Sequence, residues 1–188
     1  VIELLIGHMQ ELVIGNPALL ATDVGPVIDE EARGMLESHV KEMEENANVR
    51  YRCSLDDGTK AGTFFAPTLI EIDSVDALEK EVFGPVLHVL RFRSKDLQAT
   101  IDAVNATGFG LTMGLHSRID SRARKLVELS GAGNIYINRN MIGAVVGAQP
   151  FGGEGLSGTG PKAGGPYYLH RFATERTRSV NTAAVGGN

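Results

Sequence analysis

A single cysteine, Cys53, stands among the 188 residues. That excludes an intrachain disulfide framework and any cysteine-based zinc cluster, and it suits a reducing compartment, the cytoplasm by default. No long run of Lys or Arg occurs, and the formal net charge is -5. The chain therefore has no electrostatic footprint for nucleic acid and no attraction to an anionic membrane surface. A membrane span is missing too: the apolar N-terminus contains Glu3 and His8 and has no basic region of the signal-peptide kind. The histidines, His8, His39, His88, His116 and His170, are scattered. None has the i, i+4 spacing of a metal site, so surface positions and local hydrogen bonding are expected of them, and no metal.

What is present is the balance of a globular α/β protein, 43% hydrophobic and 22% charged, enough to bury a core. Ile2, Leu5, Met9, Leu12 and Val13 recur at helical spacing, with Gly15-Asn16-Pro17 as cap and breaker. Asp29 before Glu30 and Glu31 opens a second helix, with Met35 or Leu36, Val40 and Met43 as its buried stripe. Residues 49–54 and 64–72 are rich in β-formers, and Asp57-Gly58 between them suggests a hairpin or neighbouring strands. Strand and helix then alternate: strand 86–92, a helix capped by Ser94 or Asp96, strand 111–116, a helix capped by Asp120, and strand 134–138. This order predicts a largely parallel sheet with helices on its faces. Nine glycines from Gly143 to Gly165 make the following segment a long shaped loop, of the kind that binds something. A β-prone tail, residues 176–185, could join a sheet edge, its own or a partner's.

Candidate chemistry is sparse when read from residue types alone. Gly153-Glu154-Gly155-Leu156-Ser157-Gly158 has the letters of a dinucleotide-binding loop, but no strand leads in and Gly160-Pro161 follows where a helix should open. Cys53 has Arg50 and Arg52 nearby, yet strand alternation puts both arginines on the opposite face, which makes Cys53 a small core residue. Ser94-Lys95 and Ser157 sit in no nucleophile arrangement. No catalytic set is found. Lys80-Glu81-Val82-Phe83-Gly84-Pro85-Val86 places an acid and an aromatic at a turn before a strand; by composition Glu81 is solvated and Phe83 belongs to the core.

That last segment resembles the Glu-x-Phe-Gly-Pro signature of the aldehyde dehydrogenase superfamily. Three others are similar to family segments in the same order: Thr22 to Ile28, Gly131 to Asn138, and Gln149-Pro150-Phe151-Gly152-Gly153 with Ser157-Gly158. Arg139 to Gly147 and Gly158 to Pro166 resemble, more narrowly, the pyrroline-5-carboxylate dehydrogenase branch, especially the dehydrogenase module of bifunctional proline utilization flavoenzymes. The resemblance implies an incomplete α/β catalytic domain over residues 1–175 and an oligomerisation strand in the tail, 176–188. It implies NAD as cofactor, with Glu81 on the nicotinamide ribose hydroxyls and Phe83 near the nicotinamide ring. Gly143 and Ala144 would receive the carboxylate of glutamate semialdehyde through backbone N–H groups, and Phe151 would wall the aldehyde chain.

The family's nucleophilic cysteine, in a Gly-Gln-x-Cys context, and its general-base glutamate have no counterpart in these residues. The resemblance therefore makes the chain the C-terminal part of a longer, homo-oligomeric parent, inactive alone. FAD is expected only in a separate upstream proline dehydrogenase module. Alternatives are a part of another aldehyde dehydrogenase, or a noncatalytic oligomerisation module.

Overall fold

The apolar spacing at Ile2, Leu5 and Met9 folds as helix α1 (Ile2–Gln10), with that stripe half-buried. The helix stops before Leu12 and Val13. Val13 N–H donates instead to Asp23 Oδ2 at 2.9 Å, and its carbonyl accepts from Asp23 and Val24. These bonds replace the next helical turn and set up a bridge between Ile14 and Val24.

This computed structural model describes residues 1–145 and 147–185, and side chains through 183. The chain forms two units, Val1–Leu97 and one beginning at Gln98; each is described by itself.

In the first unit Asp29 caps helix α2 (Glu30–Asn46), its side chain accepting from Ala32 N–H at 2.8 Å. That satisfies one of the orphan donors of the first turn, where Glu30 and Glu31 also meet the positive end of the helix. The buried stripe is Leu36, Val40 and Met43. It packs with Phe65, Ile70 and Ile72 into the unit's core, against which Val27, Val49, Val82, Val86 and Leu90 are laid. The strands facing the helix are β1 (Asn48–Arg52), β2 (Thr68–Ile72) and β3 (Val86–Leu90), in that order, with β1 antiparallel and β3 parallel to β2. The neighbouring strands were anticipated; the tight turn at Asp57-Gly58 was not realised. Residues 57–59 form one turn of 3-10 helix inside a longer connection, held by Thr59 Oγ1 donating to Asp56 O at 2.7 Å.

The second unit carries α3 (Leu97–Ala106), β4 (Phe109–Gly110), β5 (Thr112–Leu115), α4 (Asp120–Leu129), β6 (Asn134–Ile137) and β7 (Glu154–Gly155). Ser94 to Asp96 wind as a 3-10 turn before α3, and Asp120 is the first helical residue of α4 rather than its cap. β5 and β6 run parallel, joined across α4. The single, largely parallel sheet expected from the alternation is therefore three small ones: β1-β2-β3, β4-β7 and β5-β6. Within the second unit, β4 is drawn away from β5 and β6 at Gly110. Its backbone passes so close to Gly131 O and Glu154 O that an added Cβ would lie 2.9 Å and 3.3 Å from them. The chain there turns its ladder to the glycine-rich segment, pairing Gly110 with Glu154 antiparallel.

That segment is a shaped loop, as its composition predicts. Gly153 and Gly158 approach each other so closely that a Cβ on Gly153 would lie 2.6 Å from Ser157 Cβ. No helix follows, since residues 159–167 are irregular, and the dinucleotide-loop reading fails for the reason the sequence supplies. Residues 173–181 are exposed and unpaired, with a 3-10 turn at Thr182–Val185. The β-prone tail is thus not a strand within this chain, and its last three residues, 186–188, lie outside the described ones. Among the described residues no helix is long and apolar enough to cross a membrane.

Candidate functional site

Glu81 and Phe83 share one turn at the start of β3. The turn alternates: Val82 packs against the core, while Glu81 is exposed and Phe83 is 77% exposed. The core role that composition suggested for Phe83 is therefore excluded, because Val82 and Val86 occupy the inward positions. Gly84 explains how the turn sits so close to α2. A Cβ there would lie 2.5 Å and 2.6 Å from the two methyl carbons of Leu36, a residue with no exposure of its own. Pro85 O accepts from Thr68 N–H at 2.9 Å, fixing the turn to β2. Among the described residues the Glu81 carboxylate meets neither a hydrogen-bond donor nor a cation.

The second group lies on the loop of the other unit. Gly143 has φ 64°, the left-handed region, and an added Cβ would meet nothing within 4 Å. Among the described residues, no acceptor faces the N–H groups of Gly143 and Ala144. Val145 N–H, next along, donates to Gln149 Oε1 at 3.1 Å. Phe151 is half-buried and tied by a two-way backbone bridge to Ala163, at 3.0 and 2.9 Å. Beside this loop an open depression of about 350 Å³ is lined by Asn134 to Ile137, Arg139, Gln149 and Pro150.

Several supporting residues were not legible beforehand. Asn134, 8% exposed, donates from Nδ2 to both Leu111 O and Gly152 O at 2.8 Å. Lys162 Nζ donates to the same Gly152 carbonyl at 2.6 Å, so β6 and the far limb of the loop converge on the residue after Phe151. Asn138, with φ 54°, ends β6 by accepting Ser117 N–H at 2.8 Å and donating to Ser117 O at 2.9 Å. The Arg139 guanidinium lies over the Tyr136 ring, 4.6 Å from its centre. The only sequence signal for these was the Asn closing a strand.

Cys53 is buried, and its Sγ donates to Met9 O at 3.4 Å. Burial pushes the thiol pKa up, the wrong direction for a nucleophile. Arg52 pairs instead with Glu37 at 2.5 Å, and its guanidinium lies over Phe65.

The histidines hold a surprise. His39 on α2 and His88 on β3 bring their Nε2 atoms to 2.8 Å. Burial, and then the neighbouring His39, lower the His88 pKa to about 4; burial also lowers that of His39. A histidine with a depressed folded pKa stabilises the fold fully above its unfolded value, near 6.5. That contribution is lost as pH falls from there toward about 4. For side chains only partly buried the loss is about 2 kcal/mol. Urea unfolding of the metal-free chain is expected to show this fall, and His88→Gln to flatten it; an unchanged slope in that variant would show that other groups set the acid limb.

The chain belongs to the aldehyde dehydrogenase family, whose pattern matches residues 1–178. It is 51% identical over 179 residues to the bifunctional protein PutA of Klebsiella aerogenes, covering 93% of this chain and 14% of that protein. With the 1-pyrroline-5-carboxylate dehydrogenase of Bacillus thuringiensis (strain Al Hakam) it shares 38% identity over 172 residues, 90% of this chain and 33% of that one. The fold is similar to that of a Bradyrhizobium japonicum proline utilization A (PutA) variant, with a TM-score of 0.89 and 51% identity over 97% of this chain and 18% of that chain. It is also similar to a Staphylococcus aureus betaine aldehyde dehydrogenase variant crystallised with NAD+, at a TM-score of 0.76 and 28% identity over 85% of this chain and 32% of that one. The chain thus spans 14% of the length of its bifunctional relative from Klebsiella.

Proposed function

We propose that this chain anchors substrate and flanks the nicotinamide in an NAD-dependent dehydrogenase that oxidises L-glutamate γ-semialdehyde, in equilibrium with pyrroline-5-carboxylate, to L-glutamate. The observation that carries the substrate is the pair of N–H groups at Gly143 and Ala144, which meet no acceptor among the described residues, in a left-handed glycine turn. Backbone donors held this way bind a carboxylate with little reorganisation, and a glycine leaves room for close approach. Resemblance to pyrroline-5-carboxylate dehydrogenases supports the same substrate. Phe151, held by its bridge to Ala163, supplies an apolar wall for the chain between carboxylate and aldehyde.

The residues at the turn before β3 fit NAD. A carboxylate with no partner among the described residues can accept two ribose hydroxyls, and an exposed aromatic face can pack beside the nicotinamide ring. When bound, NAD accepts the hydride of the aldehyde carbon, and water supplies the second oxygen of the glutamate carboxylate. Glu81 and Phe83 would orient the cofactor, and Gly143 and Ala144 would hold the carboxylate end of the substrate. Neither group performs the bond-making step.

The 188 residues on their own are expected to form no NADH from glutamate semialdehyde, because the one cysteine is buried with its thiol pKa raised. NADH formation by the purified chain would overturn this. The substrate assignment is tested in the enzyme that carries the chain together with a catalytic cysteine, by comparing kcat/KM for glutamate semialdehyde and for an unsubstituted aliphatic aldehyde. Equal values would sink it. A cytoplasmic, homo-oligomeric parent with an FAD-dependent proline dehydrogenase module fits the likeness to PutA and belongs to the same proposal.

A further inference from the structure

His39 and His88 are 49 residues apart in sequence, yet the fold of the first unit sets their Nε2 atoms 2.8 Å from each other. The rings meet edge to face, their centres 5.1 Å apart and their planes at 74°. We propose that these two imidazoles form a chelate for a divalent transition-metal ion, Cu(II) ahead of Ni(II) and Zn(II), which staples α2 to β3. The site lies one helical turn beyond the contact between Leu36 and Gly84, so it bears on the strand that leaves the Glu81 turn.

Distance carries the argument. Two imidazole nitrogens about 2.0–2.1 Å from a metal and at right angles to each other lie about 2.9 Å apart. The observed spacing is therefore close to that of a cis pair in a tetragonal site, the geometry Cu(II) favours. The rings now point Nε2 at Nε2 almost head-on, so each must swing by roughly 45° for both lone pairs to converge on one ion. The ring now donating from Nε2 moves its proton to Nδ1, which frees the second lone pair with no net proton release. Both side chains are only half-buried, so water can complete the coordination shell.

The pair is not a full protein cage: among the described residues no cluster of three His, Cys, Asp or Glu side chains exists. Glu42 and Lys80 act on His39 with opposite sign, Glu42 the more strongly. A labile site, open to solvent ligands, follows.

Cu(II) alone, titrated into the 188-residue chain at neutral pH, is the probe. Calorimetry is expected to show a one-to-one complex, electron paramagnetic resonance two coordinated nitrogens, and thermal unfolding a higher midpoint with metal. His39→Gln and His88→Gln should each weaken binding at least about tenfold, whereas a variant with His8, His116 and His170 all changed to Gln should keep it. A spectrum with one nitrogen or none in the native chain overturns the proposal even if a variant fails to fold. So does binding that survives both single substitutions or disappears in the triple variant.

Discussion

Gly143→Val, made in the dehydrogenase that carries this chain, is expected to lower kcat/KM for glutamate semialdehyde by roughly a hundredfold or more while leaving its Tm nearly unchanged. Gly143 sits at φ 64°, a region a β-branched residue avoids at a cost of roughly 1–3 kcal/mol. The backbone therefore relaxes away from the observed turn, and the N–H groups of Gly143 and Ala144 lose the placement that turn gives them. Each hydrogen bond lost to a charged carboxylate is worth about 1.5–3 kcal/mol, so loss of two sums to at least a hundredfold. Among the described residues nothing lies within 4 Å of the position where the Cβ would be, so the expected damage is to the backbone turn. An aliphatic aldehyde without the amino-acid end should be oxidised within a few-fold of the unchanged enzyme. If both aldehydes lose equally, the loop shapes the active site generally and does not anchor a carboxylate.

Much of the fold was legible because periodicity is local. The cap at Asp29, the stripe Leu36-Val40-Met43, and α4 with Leu126 buried all follow from spacing within a dozen residues. What spacing could not give is partner choice. β4 and β7 are two residues each, too short to carry an alternation, so their pairing with each other had no signal in the sequence. Helix α1 ends where a hydrogen bond from Val13 to Asp23 outcompetes another turn, a choice invisible in the apolar pattern. The site shows the same division. Glu81, Phe83, Gly143 and Ala144 are singled out by resemblance alone, and the structure adds why Phe83 faces outward: Val82 takes the inward position. Lys162 and Asn134, which converge on Gly152, and His39 with His88 depend on contacts between distant residues, for which composition has no signal.

Leu36 and Gly84 allow a test of how the core positions the turn that carries Glu81 and Phe83. Leu36→Ala is expected to cost about 3 kcal/mol in urea unfolding of the chain, since a fully buried leucine is removed from a packed cluster. Gly84→Ala is expected to cost about 1–3 kcal/mol, because its new methyl would lie 2.5 Å from a Leu36 carbon that cannot swing aside. The two changes meet in the same space, so the double variant should lose at least about 1 kcal/mol less than the two single losses together, the alanine methyl filling part of the cavity. Additive losses would mean that Gly84 is needed for some reason other than this contact. The functional counterpart separates the residues further. In the parent dehydrogenase, Gly84→Ala lifts the turn off α2 and should raise KM for NAD more than KM for the aldehyde, since Glu81 and Phe83 ride on that turn and Gly143 does not. Leu36→Ala in the Gly84→Ala background should recover part of that KM, which a defect confined to stability would not do.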